Sequence, residues 1–177
     1  MSQEEMHARH LVELGFVQDI VHDLGLKAQL VERSEQVPYH TLLVDLEPDA
    51  QERPRQMALS FYPVSAEQVE HSLLLQYYLV LPVTLAGDGL ARVRDWLPEI
   101  NNKLVLGHFG ITDEQHQLHY RYVQALPADE LIEADTLQDV LTLTGYTPLL
   151  FQNSLEDLAA GDITLEQARA NLAAQFS

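Results

Sequence analysis

The sequence contains no cysteine, which excludes a thiol nucleophile, a thiolate metal site and a disulfide framework, and which fits the reducing cytoplasm. Basic residues are also scarce. Ten Lys and Arg stand against 27 Asp and Glu, so the formal net charge is −17. Because a surface of that sign repels nucleic-acid phosphates and anionic lipid headgroups, we predict no nucleic-acid partner and no membrane binding.

Long apolar runs are absent as well. No stretch approaches the roughly 18 apolar residues of a membrane-spanning helix. The first ten residues, MSQEEMHARH, lack the basic and apolar regions of a signal peptide, so a cytoplasmic location is predicted. Apolar residues make up 46% of the chain, as in ordinary globular proteins, and 177 residues suit one domain.

Stretches with helical and with strand periodicity alternate along the chain. Leu14, Val17 and Val21 recur at helical spacing before Gly25, so a helix is predicted over 3–24. Period-two alternation predicts strands at 26–30, 42–46, 56–64, 71–83, 105–111 and 116–124. Further helices are predicted at 90–104, 136–144, 148–160 and 165–176.

Local signals set the ends of the later helices. Asp88 is the predicted N-cap of the second helix. Gly145 and Pro148 are expected to divide the region 136–160 into two helices, because proline removes a backbone donor. Thr164 with Gln167 is typical of a capping box at the start of the last helix.

The predicted element order is helix, four strands, helix, two strands and then helices, or α-ββββ-α-ββ-α(α). This order is typical of the α+β class, with a mostly antiparallel sheet flanked by helices. We predict a single domain over residues 1–161 and a C-terminal helical extension over 162–177 that packs on or beside it.

The strand predicted at 71–83 is apolar on both faces. One face is expected to join the core, and the opposite face carries Leu74, Tyr78 and Val80. Antiparallel sheets commonly leave one face in water, so we expect this face to be covered by another helix, a second subunit or a bound peptide. Trp96, at the margin of the second helix's apolar stripe, is interpreted as a core residue or an interface anchor. These four residues are the candidate partner-binding residues.

A short motif lies at the centre of the chain. Asn101 and Asn102 end the predicted helix, a Gly-His-Phe-Gly-Ile strand follows at 107–111, and Leu-His-Tyr-Arg-Tyr returns at 118–122. This pattern resembles the heart of the YbjN-type family, and the element order over about residues 5–160 resembles the related type III secretion chaperone-like fold. The resemblance implies a small acidic protein, often dimeric and without known catalysis, that holds other polypeptides or acts in regulation.

Eight histidines raise the question of a metal site. His116 and His119 are three apart on a predicted strand, so they project to opposite faces and cannot share an ion unless a bulge intervenes. His7 and His10 share a helix face, but no third ligand is identifiable. We therefore predict no metal, no cofactor and no catalytic residue, since no hydrolase or phosphate-loop motif occurs either.

Two classes of function follow from these patterns. The preferred one is a non-enzymatic protein-interaction, chaperone-like or regulatory module. It forms a homodimer and binds a basic or apolar partner segment through apolar sheet and helix surfaces. The alternative is a small-ligand-binding protein or hydrolase with a site near Asp113, His119 and Arg121. Strand alternation places His119 and Arg121 on one polar face.

Overall fold

The computed structural model describes residues 3–35, 37–64, 69 and 71–175. The elements are α1 (Gln3–Asp23), β1 (Ala28–Val31), β2 (Thr41–Leu46), β3 (Arg55–Phe61), β4 (Ser72–Val80), α2 (Gly87–Asn101), β5 (His108–Ile111), β6 (Leu118–Pro127), α3 (Ala134–Ala160) and α4 (Leu165–Gln175). The strands form an antiparallel sheet in the order β1-β2-β3-β4-β6-β5. This architecture confirms the predicted α+β class and element order.

Helix α1 confirms the first predicted helix. Its fully buried residues are Leu14, Val17 and Val21. The helix ends in a Schellman motif, in which the Leu26 N–H donates to the Val21 carbonyl at 3.1 Å and the Gly25 N–H donates to the His22 carbonyl at 2.9 Å. Gly25 has a φ of +80°, a conformation that glycine adopts without steric cost. The chain can therefore turn sharply from α1 into β1.

The chain forms two compact units. One extends up to Leu79 and includes Tyr122–Leu143, and the other comprises Val80–Arg121 and the chain from Thr144 onward. Helix α4 belongs to the second unit. The division into a domain over 1–161 and an extension over 162–177 stays a prediction.

The core of the first unit lies between α1 and one face of the sheet, which we call the inner face. Helix α1 packs against β1, β2 and β3. Strand register aligns two buried rows across β2, β3 and β4, namely Leu42, Leu59 and Tyr77, and Val44, Met57 and Leu79. Alternation along each strand places these residues on one face and their sequence neighbours on the other.

In the second unit, the end of α3 lies close to the start of α2. A Cβ atom added to Gly89 would lie 2.3 Å from the carbonyl oxygen of Ala159, so only glycine allows this approach. The Arg92 guanidinium donates to the Leu158 carbonyl at 2.9 Å and to the Ala159 carbonyl at 3.0 Å. These bonds satisfy carbonyls that α3 leaves free at its C-terminus, where a cation is favoured.

The predicted capping box at the start of α4 is confirmed. The Thr164 N–H donates to Oε1 of Gln167 at 2.8 Å, and the Gln167 N–H donates to Oγ1 of Thr164 at 3.2 Å. Helix α4 then buries Ala168 and Leu172.

The predicted N-cap of α2 is wrong. Helix α2 begins at Gly87, and its N-cap is Ala86, which makes no side-chain capping bond. Asp88 lies in the first turn of the helix instead, where its carboxylate still interacts favourably with the positive end of the helix dipole.

The predicted break between 136–144 and 148–160 is also wrong, because α3 runs through Pro148 without interruption. Proline lacks the N–H that would bond to the Thr144 carbonyl, and an interior proline costs about 3 kcal/mol. Residues 144–160 nevertheless bury Phe151, Leu155 and Leu158 almost completely. Burial of one such side chain contributes about 1.5–3 kcal/mol, so together they outweigh the local cost.

Candidate interaction surface

The face of the first unit's sheet opposite α1 is the main candidate site, and we call it the outer sheet face. Its residues are Gln29, Val31, Thr41, Leu43, Asp45, Gln56, Ala58, Ser60, Ser72, Leu74, Gln76 and Tyr78. Helix α1 lies on the other side, since His10 of α1 stacks on the inner-face residue Phe61 at 5.4 Å between ring centroids. The outer sheet face therefore offers a surface separate from the α1 core.

An apolar row crosses the middle of the outer sheet face. Leu43 pairs with Ala58 and Ala58 pairs with Tyr78, so these three side chains lie side by side on β2, β3 and β4. All three are half-buried. Further along β4, Leu74 lies opposite Tyr62, and the Tyr62 N–H donates to the Leu74 carbonyl at 2.8 Å. Tyr62 is 38% exposed. The predicted apolar second face of β4 thus retains solvent contact at Leu74 and Tyr78.

Polar pairs border the apolar row on both sides. The Gln56 side-chain amide donates to Oδ1 of Asp45 at 2.9 Å, and the Gln76 amide donates to Oγ of Ser60 at 3.5 Å. Asp45 is the one charged residue of the outer sheet face as defined above. The protein as a whole has a formal charge of −17, so this face is nearly neutral by comparison.

The other two candidate partner-binding residues fall in the second unit. Val80, at the end of β4, is 41% exposed. Trp96 is 1% exposed and lies in the core formed by α2, so its side chain is not on the surface. Trp96 is therefore placed as a core residue, one of the two roles that the sequence suggested.

The motif residues of the second unit hold β5 in place. The Asn101 side-chain amide donates to the Phe109 carbonyl at 3.0 Å, and its oxygen accepts the Phe109 N–H at 2.8 Å. The Tyr120 hydroxyl donates to the Leu106 carbonyl at 2.6 Å. A Cβ atom on Gly107, which has a φ of +68°, would lie 2.5 Å from that hydroxyl. These contacts give the motif a structural role.

The alternative site near Asp113, His119 and Arg121 has the following geometry. Asp113 is exposed in the turn between β5 and β6. The His119 ring lies over Gly110, where an added Cβ would be 2.7 Å from Nε2, and its strand neighbour Arg121 pairs with His108. Burial is the largest cause that lowers the pKa of His119. A hydrogen bond that the ring donates to the Gln117 backbone opposes this shift, and the charges of His108 and Arg121 lower the pKa further. The side chains that act electrostatically on His119 are thus the two basic residues His108 and Arg121.

The structure brings together three histidines, which we call the histidine cluster. His7 and His10 of α1 meet His40, which precedes β2, with ring centroids 6.4 Å apart for His7 and His10 and 6.1 Å apart for His7 and His40. All three are buried. The His40 Nδ1 accepts the Arg33 N–H at 3.1 Å, so the neutral ring carries its proton on Nε2.

Burial is the largest cause of a lowered pKa at each member of the histidine cluster. The effect is strongest at His10, where burial and then the charges of His7, Arg9 and His40 lower the pKa to about 4. Sequence spacing indicated that His7 and His10 converge. It gave no signal for His40, because a loop residue 30 positions away is placed only by tertiary packing.

Within the described part of the chain, no group of His, Cys, Asp or Glu is arranged to hold a metal ion. Over the same residues, no helix combines the length and the hydropathy that crossing a membrane requires.

A search of family models gave no match to the chain, and a search of curated proteins also gave none. Among solved structures, the chain is similar to the crystal structure of YbjN from E. coli. The match has 10% sequence identity and a TM-score of 0.45, and it covers 85% of this chain and 94% of that one. The YbjN-like fold expected from the sequence agrees with this match.

Proposed function

We propose that the protein is a non-enzymatic interaction module of the cytoplasm that associates through the outer sheet face. The supporting observation is the half-buried row of Leu43, Ala58 and Tyr78, which crosses three strands on the side of the sheet opposite α1. Apolar rows of this kind favour protein contacts because their burial releases water. In line with the motif resemblance, we also propose that the fold is type III secretion chaperone-like.

The occupant that we propose for the outer sheet face is a second copy of the chain. A protein of charge −17 repels its own copies over most of its surface, and association is least opposed where charge is lowest. The outer sheet face carries Asp45 as its one charged residue, and this side chain is bonded to Gln56. A homodimer that packs these faces together keeps most carboxylates in water.

The same arrangement suits the handling of a partner polypeptide. Once the outer sheet faces are paired, the remaining acidic surface attracts basic segments and repels acidic ones. We therefore propose that the partner is a basic or apolar polypeptide segment and that binding it constitutes the activity of the protein.

Tyr78→Glu tests the self-association. Burial of about 50 Å² of tyrosine surface in each copy contributes roughly 2.5 kcal/mol to a dimer at 25 cal/mol per Å², and the added carboxylates oppose association further. Dimer affinity measured by sedimentation equilibrium should therefore fall at least about tenfold. Circular dichroism should show an unchanged fold.

Gln29→Glu is the matched control, because it adds the same charge at the border of the same face. It should weaken the dimer much less than Tyr78→Glu. A wild-type protein that remains monomeric at high concentration, or a Tyr78→Glu dimer of unchanged affinity, would refute the proposed interface.

A further inference from the structure

A pocket of about 240 Å³ lies in the first unit, between the end of β6, the loop 130–133 and the first turn of α3. Leu126 and Leu137 are buried apolar lining residues, and Ile132 adds a half-buried wall. The volume is below the roughly 300–1,000 Å³ of pockets that enclose small molecules. It suits one long side chain better than a whole ligand.

The rim of this pocket is acidic and apolar at once. Glu130 and Glu133 line it and are exposed, and Leu131 between them is 82% exposed. Glu133 is held in place, since its Oε2 accepts a hydrogen bond from the Thr136 hydroxyl at 3.3 Å. A large apolar side chain so open to water, next to two carboxylates, is available for contact with an amphipathic group.

The charged residues around the pocket determine whether it favours a positively or a negatively charged group. The segment 122–143 contains five acidic residues and no Lys, Arg or His; the acids are Asp129, Glu130, Glu133, Asp135 and Asp139. Positive charge comes from Arg9, which donates to the Ala128 carbonyl, and from the N-terminus of α3. The five carboxylates exceed this contribution, so the pocket favours a cation.

We propose that this pocket binds a lysine side chain of a partner polypeptide, with the alkyl stem against Leu126, Ile132 and Leu137 and the ammonium group between Glu130 and Glu133. An apolar residue next to that lysine packs on Leu131. This arrangement matches lysine, whose apolar stem packs on hydrophobic surface while its charged end stays hydrated. The inference rests on the proposed function in one respect, that the protein binds polypeptides, and it identifies the chemistry of the segment bound.

Titration with short peptides, followed by amide chemical shifts in NMR spectra, tests the pocket. The first probe is an acetylated and amidated Ala-Leu-Lys-Leu-Ala peptide, and the second has norleucine in place of lysine. The lysine peptide should bind at least about tenfold more tightly, because norleucine keeps the stem and loses the charge. The largest shifts should fall on residues 130–137. Equal affinity of the two peptides, or shifts confined to the outer sheet face, would overturn the proposal.

Paired variants separate the site from general electrostatic attraction. Glu130→Gln with Glu133→Gln should lower the affinity for the lysine peptide at least about fivefold. Asp19→Asn with Asp23→Asn removes the same charge from exposed positions near the end of α1, outside the pocket, and should change the affinity less than about twofold. Leu131→Ala should weaken binding of both peptides. Similar losses in the two charge-matched pairs would contradict a defined site.

Tyr78→Glu distinguishes this proposal from the proposed self-association. If Tyr78→Glu dissociates the dimer and the lysine peptide still binds at residues 130–137, both proposals are supported. If the dimer dissociates but the peptide fails to bind the wild-type protein, the pocket proposal is wrong and the proposed interface stands. If the peptide binds and Tyr78→Glu leaves association unchanged, the pocket proposal stands and the proposed interface is wrong.

Discussion

Acidification should destabilise the protein through the histidine cluster, and His10→Phe should remove much of this loss. The folded state keeps His10 buried and its pKa near 4, against a usual value of 6.5. Between these two pH values the unfolded chain binds a proton that the folded chain does not. The free energy of unfolding therefore falls as the pH is lowered from about 6.5 toward 4.

The size of the effect follows from the two pKa values. His10 takes up a proton with a pKa of 6.5 in the unfolded chain and of about 4 in the folded chain. Lowering the pH from 7.5 to 5 therefore reduces the free energy of unfolding by about 2 kcal/mol through His10 alone. His7 and His40 add to the loss, because burial lowers their pKa values in the same direction. Protonation of the His40 Nδ1 would also break the hydrogen bond from the Arg33 N–H.

The assay is urea unfolding followed by circular dichroism at pH 7.5 and pH 5. Phenylalanine preserves a flat ring on Phe61 and has no nitrogen to titrate. Between pH 7.5 and pH 5, the free energy of unfolding of the wild-type protein should fall by about 2 kcal/mol more than that of His10→Phe. Acidification also relieves repulsion among carboxylates, but this opposite contribution is common to both proteins and cancels in the comparison.

His22→Gln serves as the control, since it removes an exposed histidine from the last turn of the same helix. This variant should lose as much stability on acidification as the wild type. If His10→Phe loses as much as well, the reasoning about the histidine cluster is wrong.

Two further substitutions test the contacts that hold β5. Asn101→Ala removes both hydrogen bonds to Phe109 and should lower the free energy of unfolding by about 2 kcal/mol, whereas Asn102→Ala, at an exposed neighbour, should cost less than about 1 kcal/mol in the same urea titration. Gly107→Ala should lower the melting temperature by an amount equivalent to about 2–3 kcal/mol, because it combines a positive φ with a steric clash. Gly15→Ala should instead raise stability by up to about 1 kcal/mol, since a Cβ in that helix meets nothing within 4 Å. Equal effects of the two asparagine variants, or of the two glycine variants, would contradict these roles.

Much of the fold could be predicted because it depends on local patterns. The alternation along β4 identified Leu75 and Tyr77 as core residues, and both are buried. The pair Thr164 and Gln167 likewise marked the start of α4 through contacts only three residues apart.

The features that the sequence did not predict are those that depend on contacts between residues far apart in the chain. Pro148 argued for a break that the packing around Phe151 prevents. The histidine cluster needs His40, and the pocket on residues 124–137 needs a loop folded against β6 and α3. No spacing within the sequence encodes these placements, since each depends on tertiary packing.

The hydrogen bonds of Asn101 have a consequence for the edge of the sheet. Strand β5 is the last in the strand order, so its outer backbone groups would otherwise be available to a foreign strand. The Asn101 carboxamide already occupies both the N–H and the carbonyl of Phe109. A foreign strand that approached β5 would therefore find the donor and the acceptor of Phe109 already in use, which makes strand addition at this edge less favourable.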